Sequence, residues 1–97
     1  MSILEQLAAE AIRLGADSLE VDYKDGYERV SAVVGGIGYE IASGRSSTPE
    51  AGELRKDLYV MTKKRRRVTT EGSRYEIRAR IDDSFGEDAF RVQLRRV

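Results

Sequence analysis

Leu4, Leu7, Ala8, Ala11 and Ile12 recur at steps of three and four residues, which places them on one stripe of a helix. Ser2 followed by Glu5 has the spacing of a capping box, and Gly15 supplies a residue that stops a helix in the left-handed conformation. The period then changes. In SLEVDYK, residues 18–24, Leu19, Val21 and Tyr23 alternate with Ser18, Glu20, Asp22 and Lys24, the mark of a half-buried strand. Asp25-Gly26 is a preferred two-residue hairpin turn. Closed that way, it sets Lys24 opposite Tyr27, Asp22 opposite Arg29, Val21 opposite Val30 and Leu19 opposite Ala32. Apolar then meets apolar and opposite charges meet, so the register is self-consistent. Gly35-Gly36 read as a second turn pairs Val34 with Ile37, Ala32 with Tyr39 and Val30 with Ile41. A three-strand meander follows, with one apolar side for the helix to cover.

Residues 42–48 are turn-rich and predict a loop. Thr48, Pro49 and Glu50 then make a helix start of cap, proline and first-turn acid, followed by Ala51, Leu54, Leu58 and Met61 on one face. Gly52 weakens this helix, and a strand over Leu58 to Thr62 competes with its end. Under the helical reading, the basic run Lys63 to Arg67 begins in the last turn, where cations complement the exposed carbonyls. The run then finishes the helix and starts a strand in solvent. The tail predicts two strands. A Gly72-Ser73 turn would set Glu71 opposite Arg74, Thr70 opposite Tyr75 and Val68 opposite Ile77. Tyr75, Ile77, Ala79 and Ile81 alternate with arginines and Glu76; after a DDSFGED turn, Phe90, Val92 and Leu94 alternate with Arg91, Gln93 and Arg95. The predicted fold is α+β: one domain over 1–97, an antiparallel sheet of about five strands with two helices on one face, in the order α-β-β-β-α-β-β.

Composition changes this picture in two ways. With no cysteine and no histidine in 97 residues, disulfides, thiolate or imidazole metal sites, and cysteine or histidine catalysis are excluded. No apolar stretch is long enough to span a membrane and no signal-peptide pattern opens the chain, so a soluble cytoplasmic protein is expected. The net charge of zero also hides an asymmetry. Residues 1–57 carry 11 acids and 6 bases, and residues 58–97 carry 6 acids and 11 bases. Packing of the two halves should cancel part of that dipole.

Candidate chemistry is sparse. VVGGIGYEIASG lacks the third glycine of a dinucleotide loop, and no phosphate-loop Gly-Lys-Ser/Thr occurs, so its glycines are read as turn residues. Asp82-x-Ser84 with Gly86 falls one residue short of the cyclic-di-GMP pattern of PilZ domains. Asp82, Asp83, Glu87 and Asp88 read as a polar turn rather than a metal site. No carboxylate pair has a reason to be buried together, so no enzyme and no cofactor are expected. Lys63, Lys64, Arg65, Arg66 and Arg67 could hold phosphates, but no aromatic residue is interleaved among them as in single-strand binders.

Three segments in order, AAEAIRLGADSLEVDYKDG, LYVMTKKRRRVTTEGSRYEIRAR and FGEDAFRVQLRRV, resemble the domain that precedes the ATPase core in type II secretion and type IV pilus assembly ATPases. The departures are specific. Val68 to Gly72 replaces that family's proline-glutamine-aspartate-glycine, keeping only the glycine; Ala79 to Asp83 replaces a serine-threonine-leucine-proline stretch; and the RecA-like core has no counterpart in these residues. The resemblance implies a non-catalytic docking or regulatory module, free-standing or excised from a larger protein. Its partner would be a secretion or pilus ATPase, or a second copy of itself. It further implies that Arg78 and Arg80 occupy the strand whose arginines reach a nucleotide on a neighbouring core. The alternative is a nucleic-acid-binding module using Lys63 to Arg67 with Arg74, Arg78 and Arg80.

Overall fold

Ser2 caps the first helix as its spacing with Glu5 predicts. The Ser2 hydroxyl accepts from the Glu5 N–H at 3.1 Å, and the Glu5 carboxylate accepts from the Ser2 N–H at 3.3 Å. In this computed structural model, which describes residues 2–84 and 86–97, helix α1 runs Ile3–Arg13 and ends before Gly15 at φ +84°. Thr48 likewise caps α2, Pro49–Met61, by accepting from Ala51 N–H at 3.2 Å. Ala51, Leu54, Leu58 and Met61 are all buried, so the stripe read at helical spacing is the face that packs, and the strand alternative at Leu58 is overturned. Gly52 lies in that helix with open space where a β-carbon would sit. Replacing it with alanine is expected to stabilise the protein by about 0.5–1 kcal/mol, since the variant loses less backbone entropy on folding. A urea-denaturation midpoint that stays put or falls would contradict this.

Among the described residues one antiparallel sheet holds six strands: β1 Ser18–Lys24, β2 Tyr27–Val34, β3 Ile37–Arg45, β4 Arg66–Thr70, β5 Ser73–Ser84 and β6 Glu87–Arg96. The tail therefore contributes three strands, not two, and the order is α-β-β-β-α-β-β-β. The extra strand is the five-residue β4, too short to show a run of alternation and opened by arginines. In space the order is β3-β2-β1-β6-β5-β4. The chain leaves the first meander at one edge and re-enters at the other. A 13-residue helix is roughly 20 Å long, close to the roughly 24 Å spanned by five inter-strand steps, so α2 bridges the sheet from edge to edge. Both helices share one face, over a core of Leu4, Leu19, Val21, Val30, Leu54, Leu58, Met61, Ile77, Phe90 and Val92.

The first hairpin has the predicted register, with Asp22 opposite Arg29 and an ion pair between them at 3.7 Å. Four expectations need correction. Val30 pairs with Ala42, not Ile41, because a bulge inserts Ile41 as an extra residue, and both side chains still pack against the core. β3 continues to Arg45, so the predicted 42–48 loop shrinks to the turn around Ser46. The β4–β5 turn is Glu71-Gly72, with φ of 52° and 71°, and pairs Val68 with Tyr75, two residues from the register predicted. Both central residues of a mirror-type hairpin turn need positive φ, and glycine in the second place, as at Asp25-Gly26, satisfies this better than Gly72-Ser73 would. A slip of two keeps every side chain on its expected face, so Val68 remains buried. Finally, Asp82 and Asp83 belong to β5 and Glu87 and Asp88 to β6, rather than to a DDSFGED turn; Phe85 of that turn lies outside the described residues.

Candidate functional site

Helices cover one face of the sheet, so every second residue of each strand is displayed on the other. The register assembles these into rows. Arg67 stands opposite Glu76, and Glu76 opposite Arg95. Ser18 stands opposite Gln93, and Gln93 opposite Arg78. Glu20 stands opposite Arg91, and Arg91 opposite Arg80. Arg74 lies opposite Thr69 at the β4 edge of the same face. Around the middle rows the face forms an open concavity of about 910 Å³, lined by Asp17, Ser18, Arg78, Arg80, Arg91, Gln93 and Arg95 among others.

The electrostatics of this face are unbalanced. Arg91 is paired with Glu20 across the seam between the two halves of the chain, and Arg80 with Asp82 at 3.3 Å. Arg78 and Arg95 are exposed, and among the described residues no carboxylate lies within ion-pair distance of either. Two arginines directly opposite each other, Arg80 and Arg91, oppose folding rather than assist it. The charge asymmetry of the sequence thus survives as lateral polarity. The halves lie side by side and cancel only at cross-half pairs such as Glu20–Arg91 and Arg13–Glu71.

The basic run does not act as one unit. It begins past Thr62, the C-cap of α2, so the last turn of the helix carries no base, contrary to expectation. Lys63 and Lys64 are exposed in the connection. Arg65 reaches Glu76 at 3.6 Å. Arg66 lies opposite buried Ile77, so it points to the helix side, where it meets Glu5 of α1 at 3.8 Å and Asp57 of α2 at 3.6 Å. It clips both helices to the edge strand. Burial alone would raise the Glu5 carboxyl, but the bonds from Ser2 and the Arg66 guanidinium outweigh that and hold it below its ordinary value. Arg67 turns to the open face. Of the seven candidate residues, Arg67, Arg78 and Arg80 therefore share the open face and Arg65 reaches its edge through Glu76, while Lys63, Lys64 and Arg66 do not form one patch with them. Arg91 and Arg95 were missed. Their alternation was visible in the sequence, but only the β5–β6 pairing brings them beside Arg78 and Arg80.

A second polar cluster closes the end of the core. Tyr23 donates to the buried Glu28 at 2.8 Å, Arg55 of α2 lies over the Tyr23 ring, and Tyr59 donates to Asp88. Burial raises the Glu28 carboxyl above its ordinary value, with the Tyr23 hydrogen bond and the Arg55 charge opposing. Because the folded state holds this proton more tightly than the unfolded one, Glu28 favours the folded state at low pH. That contribution is lost as pH rises from 4.5 through the raised value. Glu28→Gln, which can still accept from Tyr23, is expected to remove this part of the pH dependence and to be relatively more stable at neutral pH. Parallel melting curves from pH 4 to pH 7 for both proteins test it, and curves that stay parallel would refute it.

Among the described residues no group of three histidine, cysteine or carboxylate side chains converges as a metal site. Neighbouring Asp82 and Asp83 point to opposite faces of β5, which separates the acids that are adjacent in sequence. Among the described residues no helix is long and apolar enough to cross a membrane. No protein-family model matches this chain, and comparison with curated proteins finds no similar sequence.

Proposed function

We propose that the protein is a non-catalytic docking or regulatory module whose helix-free sheet face receives an acidic surface of a partner protein. The observation that carries this reading is the pair Arg78 and Arg95, exposed in a broad concavity with no carboxylate partner among the described residues. Arginine is the cation suited to such a role, because its planar fork recognises carboxylates in a bidentate way and loses little entropy per bond. The resemblance to the domain ahead of secretion and pilus ATPase cores supports a partner of that assembly-motor kind. The absence of cysteine and histidine supports a role without thiol or imidazole chemistry.

The nucleic-acid reading draws on the same cations but fits the face less well. Single-strand binders set aromatic side chains among their cations. On β4 to β6 the open-face positions of the described residues carry no aromatic side chain and include arginines, Glu76, Asp82, Glu87, Thr69, Ala89 and Gln93, while Tyr75 and Phe90 belong to the helix side. The test is direct binding of the purified chain to the ATPase cores of its host's secretion and pilus systems, with single-stranded and duplex DNA as parallel arms. Capture of a core at low salt, weakened by added salt, supports docking. Tight DNA binding with a steep salt slope, and no core captured, would replace it with the nucleic-acid module.

A further inference from the structure

The sheet has two free edges, and they differ. β4 is five residues long and begins with Arg66 and Arg67; a short, cationic edge discourages strand pairing. β3 is nine residues long, IGYEIASGR, with a single charge between Ile37 and Gly44. Ile37 and Tyr39 are 59% and 51% exposed. They stand opposite Val34 and Ala32, which places them on the side of the sheet that carries the helices.

From this edge we infer that a second copy of the chain pairs β3 against β3 across a two-fold axis at Tyr39. In a two-residue hairpin the residues flanking the turn exchange both backbone hydrogen bonds. Val34 with Ile37, and Ala32 with Tyr39, are thus the bonded pairs of β2 and β3. Gly38 and Glu40 consequently aim their N–H and C=O groups at the free edge. Centring the pairing on Tyr39 sets Gly38 of one copy opposite Glu40 of the other, so these outward groups meet and form about four hydrogen bonds. The side chains agree with the same register. Ile37 meets Ile41, Tyr39 meets Tyr39, and each glutamate faces a glycine instead of another acid. One side of the seam is continuously apolar, and on the other no like charges stand directly opposite, the two Glu40 carboxylates lying on the diagonal across the axis. The bulge at Ile41 ends the regular stretch and limits it to residues 37–41. A two-fold axis of this kind is perpendicular to the sheet, so both copies present their arginine faces on the same side, at the two outer ends of a twelve-stranded sheet.

This inference is independent of the docking reading. The experiment is sedimentation equilibrium of the full chain over a concentration series, with Tyr39→Lys and Glu40→Pro as variants. The first puts two cations against each other on the axis. The second removes an outward N–H that no internal pair uses, and an edge strand tolerates proline there. Wild type is expected to dimerise with rising concentration, and both variants to stay monomeric with unchanged circular dichroism. At the axis a non-bonded pair has Cα atoms about 4.5 Å apart, within disulfide range. Tyr39→Cys is therefore expected to cross-link in an otherwise cysteine-free chain, and Ser43→Cys not to. A single-chain mass at every concentration, a dimer that survives both variants, or equal cross-linking at Ser43 would overturn it. Arg78→Glu with Arg95→Glu should leave the dimer intact, which separates this result from that of the docking test.

Discussion

Phe90→Ala is expected to lower folding stability by about 3–5 kcal/mol, the usual range for losing a buried aromatic ring. Phe90 is 1% exposed, at the middle of the sheet, opposite Val21 on β1 and Ile81 on β5. Tyr59 of α2 meets its ring edge-on at 5.0 Å and Tyr23 of β1 at 6.4 Å. It therefore joins the two halves of the sheet to the helix that crosses them, and alanine would leave a void that neither tyrosine can fill without leaving its own hydrogen bond. A domain of this size has a total stability of roughly 5–15 kcal/mol, so the loss removes a large fraction of it and, at the low end of that range, leaves the variant partly unfolded at room temperature. Ile81→Ala, directly opposite but 42% exposed, is the matched control and should cost about 1 kcal/mol or less. Urea denaturation of both reads the difference. Equal losses would mean that the centre of the core lies elsewhere.

The second large effect concerns binding. Arg78→Glu with Arg95→Glu is expected to weaken capture of an acidic partner by more than about 2 kcal/mol, roughly thirtyfold, since both the attraction and its sign are lost at the centre of the face. Folding should lose no more than about 1 kcal/mol, from the like charges that Arg95→Glu sets opposite Glu76, because both side chains are exposed and neither holds a carboxylate of the described residues. Lys63→Glu with Lys64→Glu changes the net charge equally but lies off the face, in the connection after α2, and should cost far less. Titration of the immobilised partner with the three proteins at one ionic strength distinguishes the two locations. A greater loss for the lysine pair would move the site to the basic run and favour the nucleic-acid reading.

The parts of the fold legible in advance were those whose cause is local. Ser2 with Glu5, and Thr48 with Pro49, satisfy orphan N–H groups within one turn. Asp25-Gly26 has the backbone freedom its turn demands, and the alternation beside it leaves a single register that buries apolar side chains. Where two local answers were nearly equal, the reading slipped. Gly72-Ser73 and Glu71-Gly72 preserve the same faces and differ only in which residues take positive φ. The Ile41 bulge leaves no mark in an alternation that simply shifts by one. The candidate site was half legible: Arg78 and Arg80 were identified, Arg91 and Arg95 were not, and Arg66 was grouped with residues from which the sheet separates it.

The sequence by itself determined two capped helices, the faces of the strands, and an α+β chain without cysteine or histidine chemistry, because periodicity, capping and turn preference act between residues a few positions apart. Only the tertiary structure decided that β1 and β6 are neighbours, that α2 carries the chain to the opposite edge, and therefore which arginines share a surface and which edge is left open. Lateral strand order is set by burying both helices over one continuous apolar face, a free energy that depends on residues far apart in the chain. No short stretch of sequence records it.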